Sequence, residues 1–348
     1  MSAGSAGRAA AACCGGAGES APSLGLPWAL MSHRTRVILV IAVALAAAAG
    51  VAGGAAFFGG DDEPEAARPE GNPPVLVDLG VRTDPEATRL RRAAGKHSHG
   101  DLEGARAEFA GGRSLQAEAG EAISAWPDGT LERLEELATL HPRSGAVLFH
   151  LGLARFWSGD TAGAVEAWRT TRSKAPDTAF AVRAGDLLFR GAPPGLPTFV
   201  PGFRGPREVQ AMEAPEQFAA LRRMARRADP RAKLLYGVAL QRVERPVSAR
   251  REFSAAAKLA PSDADVLVAD AIGRFDKEHP ERAFSRMGPL TRRFPRAGTV
   301  RFHLGLMLLW LGDLEEARRQ LRRATRLGAP HDMEANRLLD RLEGIRES

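Results

Sequence analysis

Few residues in this chain are spaced for chemistry. His97, His99 and Asp101 fall within the short run HSHGD, and two imidazoles with a carboxylate are a set that binds zinc. Gly100-Asp101 is also the composition of a tight turn between helices, with the aspartate capping the second. On that reading the histidines belong to the turn and no metal is assigned. His150 and His303 occupy equivalent places in a repeated phrase, which points to a shared packing or capping role. The only cysteines, Cys13 and Cys14, are adjacent, so nothing after them can form a disulfide or a thiolate metal site. Two arginine clusters, Arg222, Arg223, Arg226, Arg227 and Arg318, Arg319, Arg322, Arg323, Arg326, have the chemistry to meet phosphate. They read instead as solvated outer helix faces. The acids sit beside arginines at helical spacing, as Glu315 does with Arg318 and Arg319, which makes surface pairs. There is no Gly-rich phosphate loop, paired-cysteine motif, HExxH or GxSxG in the sequence. No catalytic residue, cofactor, nucleic acid or small-molecule substrate is therefore expected, and the chain reads as a non-enzyme.

The elements around these residues are helical. The 348 residues are rich in Ala, Leu, Arg and Glu, which lose least on entering a helix. The net charge of +6 and pI near 9.9 are modest for the length and specify no partner by themselves.

Internal repetition is the strongest signal. Residues 146–160 read AVLFHLGLARFWSGD and residues 299–313 read TVRFHLGLMLLWLGD. After each comes a helix-forming stretch with a small then a bulky residue, Ala164 with Trp168 and Ala317 with Leu321, and then Pro176 or Pro330. A 34-residue frame lays down 145–178, 230–263, 264–297 and 298–331. It extends back to 111–144, and more weakly to 86–110. The block 179–229 is longer and holds an insertion at 191–207, placed between the two helices of one repeat. Gly152, Gly237 and Gly305 stand mid-helix, where each costs about 1 kcal/mol against Ala, so a close helix contact is expected there, with Ala164, Ala249, Ala283 and Ala317 as the small facing surface. Residues 332–346 form a last amphipathic helix in which Met333, Leu338, Leu339, Leu342 and Ile345 cover the open end.

With Leu151-Gly152, Gly159-Asp160, Ala164, Trp168, Pro176 and their counterparts Leu304-Gly305, Gly312-Asp313, Ala317, Leu321 and Ala324, the chain resembles the tetratricopeptide repeat family, of a membrane-anchored bacterial type. Arg245-Pro246 departs from it, standing where Gly-Asp is expected. The resemblance implies an all-α solenoid over residues 78–348, a right-handed superhelix with the first helix of each repeat on its concave face. A partner groove would then be lined by Phe149, Leu153, Phe156, Trp157, Phe275, Phe302, Leu306, Leu309 and Trp310. The insertion carries Leu196, Phe199, Val200 and Phe203 among its prolines. It reads either as filler between poorly matched repeats or as a segment folded over the groove that forms part of the partner site.

The remaining segments give an address. Residues 1–36 are a low-complexity tail, and Met31 is an alternative start to Met1. Val37–Phe58 carries no charge, and a helix of that length spans roughly 30 Å of hydrocarbon. Arg34 and Arg36 precede it, which keeps the N-terminus inside and the repeats outside the inner membrane; a cleaved export signal is the competing reading. Residues 59–77 read as a flexible acidic and Pro-rich linker. The expected function is a membrane-tethered scaffold or adaptor binding a protein or peptide outside the cytoplasm. The alternative is a structural subunit of an envelope assembly machine, of the cytochrome-maturation or cell-wall type.

Overall fold

The computed structural model describes residues 70–344. Among them there is no strand, and none of their helices is long and apolar enough to cross a membrane; the segment 37–58 and Ile345 lie outside the described residues. The chain runs as helical hairpins: α1 (Pro85–Ser98) with α2 (Leu102–Ala110), α3 (Leu115–Ser124) with α4 (Thr130–Leu140), and α5 (Gly145–Ser158) with α6 (Thr161–Lys174). Then come α7 (Ala179–Leu188), the single turn α8 (Arg207–Gln210) and α9 (Ala214–Ala225). The second half pairs α10 (Pro230–Arg242) with α11 (Pro246–Leu259), α12 (Ala264–Ile272) with α13 (Glu281–Arg293), and α14 (Gly298–Trp310) with α15 (Leu314–Leu327), closed by α16 (Asp332–Gly344).

The Gly-Asp turn makes these hairpins for a local reason. Gly100, Gly159 and Gly312 stop the first helix with φ of +84°, +95° and +76°, a conformation that glycine alone enters freely. The aspartate that follows caps the second helix. Asp101, Asp160 and Asp313 accept from the amides of Gly104, Gly163 and Glu316 at 2.9, 2.8 and 3.1 Å, each using a carboxylate on an otherwise unpaired helix N–H. Where Arg245-Pro246 replaces Gly-Asp, Glu244 takes the left-handed turn (φ 56°) and α11 starts without a side-chain cap.

Three expectations need correction. The first helices α1, α3 and α5 begin at residues 85, 115 and 145, a 30-residue step. The 34-residue frame therefore slips in the first repeats, where α3 and α4 have 10 and 11 residues against 14 in each of α5 and α6. The helices on either side of the insertion do not form a hairpin with each other. Instead α7 packs on α5 and α6, and α9 packs on α10, so the insertion joins two sub-arrays. In the last helix, Ala335, Leu338, Leu339 and Leu342 are buried while Met333 is exposed, so the cap uses a narrower stripe than the sequence suggested.

The mid-helix glycines do mark close contacts, chiefly with a bulky second-helix residue; an expected alanine closes in only at Gly305, where a Cβ would also lie 3.2 Å from Ala317 O. A Cβ on Gly152 would meet the indole of Trp168, one on Gly237 the ring of Phe253, and one on Gly305 the Cγ of Leu321 at 2.9 Å. All three bulky residues are fully buried second-helix side chains. Each glycine makes room for the large residue that locks the hairpin. Gly95, inside α1, has nothing within 4 Å of such a Cβ. Gly95→Ala should therefore stabilise by about 0.5–1 kcal/mol, whereas Gly237→Ala should destabilise by about 1–3 kcal/mol through overpacking. Urea unfolding of both variants separates a steric role from helix propensity; equal shifts would remove the steric role.

Candidate functional site: two extended segments on the first-helix face

The face lined by the first helices is already occupied by the chain's own backbone. In the N-terminal sub-array residues 73–79 lie along it without regular structure. Val75, Leu76 and Val77 pack against the buried clusters of the first three repeats. An extended segment on helices has no neighbouring strand, so side chains must satisfy its buried amides. Leu76 N–H donates to His150 Nε2 at 3.1 Å. The Gln116 side-chain amide closes both ends of Asp78, accepting from its N–H at 2.6 Å and donating to its carbonyl at 3.1 Å. The Asp78 carboxylate, nearly buried, then accepts from the Ala179 amide at the start of α7 and from Arg245 at 3.1 and 2.7 Å. Residues 73–77, expected as the end of a flexible linker, are thus held on this face, because their apolar side chains have a surface to cover.

In the C-terminal sub-array the insertion does the same. Phe199 N–H donates to Gln241 Oε1 and Val200 N–H to His303 Nε2, both at 3.0 Å. The Phe199 side chain is 2% exposed, stacked on His303 with ring centroids 5.1 Å apart and edge-on to Phe253 at 5.9 Å. Trp310 Nε1 donates to Gly195 O at 3.2 Å, and Lys277 Nζ to Pro193 O at 2.7 Å. Arg231 covers the Phe203 ring, and Leu196 and Val200 are half-buried.

The equivalence of His150 and His303 now has its reason. In each, Nδ1 bonds a carbonyl one turn back, Ala146 O or Thr299 O, at 2.7 Å. That fixes the proton on Nδ1 and leaves the Nε2 lone pair for the segment's amide. Burial opposes charging: it lowers the pKa of His150 to about 4 and holds His303 well below 6.5, with His331 nearby adding to the latter. His331, stacked on Phe302 at 5.0 Å, is lowered by burial to about 4.

Of the residues read as groove lining, Phe149, Leu153, Phe156 and Trp157 gather in one cluster with Leu76, Trp310 bonds the insertion and Phe275 lines a cavity beside it; none forms an open surface. Phe149, Leu153, Phe275, Phe302, Leu306, Leu309 and Trp310 are buried, and Phe156 and Trp157 half-buried. Helical spacing identified them and had no access to what covers them. Gln116 and Gln241 were missed, since a lone glutamine carries no pattern. The HSHGD run is dispersed: His97 is buried, His99 Nδ1 bonds Gly95 O at 2.6 Å, and Asp101 caps α2. No group of three potential metal ligands gathers among the described residues. Of the arginine clusters, Arg222, Arg223, Arg226 and Arg227 are exposed, but Arg318 is 5% exposed, bonded to Glu315 and to Leu342 O at 2.7 and 2.8 Å. It fastens the closing helix and is not part of a solvated face.

Hairpins stacked in one direction, with extended polypeptide held along the first helices, define an all-helical repeat protein. The tetratricopeptide repeat family model matches residues 146–178, the span of α5 and α6 with the turn that follows, and supports the tetratricopeptide reading of the array. No curated protein matches the chain. Solved structures similar to it include yeast Tom70, 14% identical over 75% of this chain and 55% of its own, with a TM-score of 0.29. A tetratricopeptide repeat protein from Parabacteroides merdae is 13% identical over 74% of this chain and 98% of its own (TM-score 0.32). MamA is 12% identical over 74% and 99% (TM-score 0.25). The chain spans about half the length of Tom70.

The buried imidazoles set a pH dependence. Unfolded, each takes a proton near 6.5; folded, His150 and His331 take it only near 4. The unfolded state binds more protons throughout that window, so stability is full above pH 6.5 and falls as pH drops towards 4. Glu244 and Asp265, pushed up by burial, act in the opposite sense. Unfolding midpoints should therefore fall between about pH 7 and pH 5 in the wild type, and less steeply in a His150→Gln, His303→Gln double variant. An identical slope in the variant would take the imidazoles out of the account.

Proposed function

We propose that this chain is a non-catalytic, membrane-tethered scaffold that holds a protein partner outside the cytoplasm by gripping an extended segment of it on the first-helix face. The observation that carries the reading is the side-chain reading of backbone by Gln116 with His150 and by Gln241 with His303. Such polar groups on an apolar floor recognise polypeptide as a backbone, independent of sequence. A partner segment exchanges with residues 193–205, whose joining loops bring no helix of their own apart from the short α8. Val37–Phe58 supplies the anchor and Arg34 and Arg36 its orientation.

A second reading, a fixed subunit of an envelope assembly machine, is favoured by the occupancy itself: with both segments in place a partner would dock on another surface. One experiment separates the two. Residues 193–205 are replaced by a Gly/Ser linker, and a synthetic peptide of that sequence is added to the variant. The first reading expects saturable binding and recovery of thermal stability, with circular dichroism showing the helices intact. A helical variant that ignores the peptide leaves the second reading. The Phe199→Ser, Phe203→Ser variant should lower partner cross-linking in intact cells.

The tether is tested separately. The full-length protein should stay with membranes through carbonate washing, and protease added to spheroplasts should digest the repeats. Protected repeats would reverse the orientation, and a mature N-terminus near residue 58 would replace the anchor by a cleaved signal.

A further inference from the structure

A cavity of about 570 Å³ lies where the two sub-arrays meet. Its walls come from α6 and α7 on one side and α11, α13 and the turn before α13 on the other, with Leu196 of the insertion at its edge. Six cations line it, Arg172, Arg250, Arg274, Lys277, Arg282 and Arg286, against one acid, Asp276.

The acids within reach are committed. Asp276 and Glu278 meet Arg172 at 2.9 and 2.8 Å, Asp186 meets Lys277 at 2.6 Å, and Asp270 meets Arg274 at 3.0 Å. Arg250, Arg282 and Arg286 make no ion pair among the described residues. Arg282 and Arg286 are four apart on α13 and so share a face; Arg250 comes from α11. The turn leading into α11 carries Arg245-Pro246 where some other repeats carry Gly-Asp, and its one carboxylate, Glu244, meets Arg183 at 3.2 Å and does not line the cavity. Three unmatched guanidiniums around one partly enclosed space repel one another, and low-dielectric walls strengthen that repulsion relative to open solvent. An anion in the space reverses its sign. Guanidinium forks match phosphate and carboxylate oxygens in pairs, and the volume lies in the range of roughly 300–1,000 Å³ typical of small-molecule sites. The cluster Arg222, Arg223, Arg226 and Arg227 on α9 is exposed in the same way but does not line this cavity.

We propose that this cavity is a binding site for a small polyanion carrying clustered phosphate or carboxylate groups. The site adjoins the C-terminal first-helix face through Leu196 and Phe275, and its ligand bridges the sub-arrays.

The test uses the full-length protein in detergent, titrated calorimetrically with pyrophosphate and, separately, with citrate, alongside thermal unfolding. The expected result is saturable binding with a rise in Tm. Arg250→Gln with Arg286→Gln should weaken it by about tenfold or more without lowering the ligand-free Tm, since both side chains are exposed and their loss only relieves like-charge repulsion. Arg222→Gln with Arg226→Gln should bind as the wild type does. Binding of pyrophosphate alone assigns the site to phosphates, and of citrate alone to polycarboxylates. No saturable heat from either at millimolar concentration overturns the proposal, as does an equal loss of affinity in the α9 variant.

Discussion

A backbone laid across helices has no strand to pair with, and every amide it buries must find a side chain. That requirement governs the first-helix face of this protein. Helices satisfy their own N–H groups and need nothing from the segments that cross them. The segments at 73–79 and 193–205 gain apolar burial from Leu76 and Phe199, but only where Gln116, His150, Gln241 and His303 take up the peptide groups. An unpaired buried amide costs on the order of 1–3 kcal/mol, enough to cancel much of what one buried side chain contributes. The polar residues on an otherwise apolar floor are thus fixed by the segments, and the segments by them. The histidines must also stay neutral, since an imidazolium has no lone pair to offer.

This explains which parts of the molecule could be read from sequence. The hairpins were legible because their causes are local: a glycine that can turn left-handed, an aspartate that can cap, and a small then a bulky residue at fixed separation on the second helix. The departures were legible for the same reason, and where Arg245-Pro246 replaces Gly-Asp the second helix starts without the aspartate cap. The crossing segments were not, because extended backbone bonded to side chains has no period. What betrayed the insertion was composition, since Phe199 and Phe203 are too apolar for an idle loop. The run Val75–Val77 gave the same signal at the end of an acidic, Pro-rich stretch and was absorbed into the linker. Arg318 was misread because helical spacing gives the face of α15 but not the presence of α16 upon it.

The two sub-arrays are held together differently from the hairpins within them. Inside each, bulky aliphatic and aromatic side chains are buried from repeat to repeat. Across the joint run hydrogen bonds and ion pairs. Asp78 meets Arg245, Asp177 holds the amide and hydroxyl of Ser248, Asp186 meets Lys277, and Arg172 reaches Asp276 and Glu278. Partly exposed pairs of this kind contribute little each, and their strength depends on salt in a way that apolar cores do not. The exceptions are the pairs most removed from solvent. The Lys277 side chain is 3% exposed, between Asp186 and the Pro193 carbonyl, and breaking such a buried pair leaves an uncompensated charge.

That arrangement gives the crossing segments a second consequence. Asp78 belongs to the first segment and Pro193 to the second, so both segments end in the polar joint as well as lying on a first-helix face. Removing a segment from its face therefore also takes away a partner from the joint, Asp78 from Arg245 in one case and the Pro193 carbonyl from Lys277 in the other. Occupancy of the faces and the relative placement of the sub-arrays are linked through these two residues. Linkage is reciprocal: whatever draws the sub-arrays together favours the segments in place, and whatever replaces a segment weakens the joint beside it.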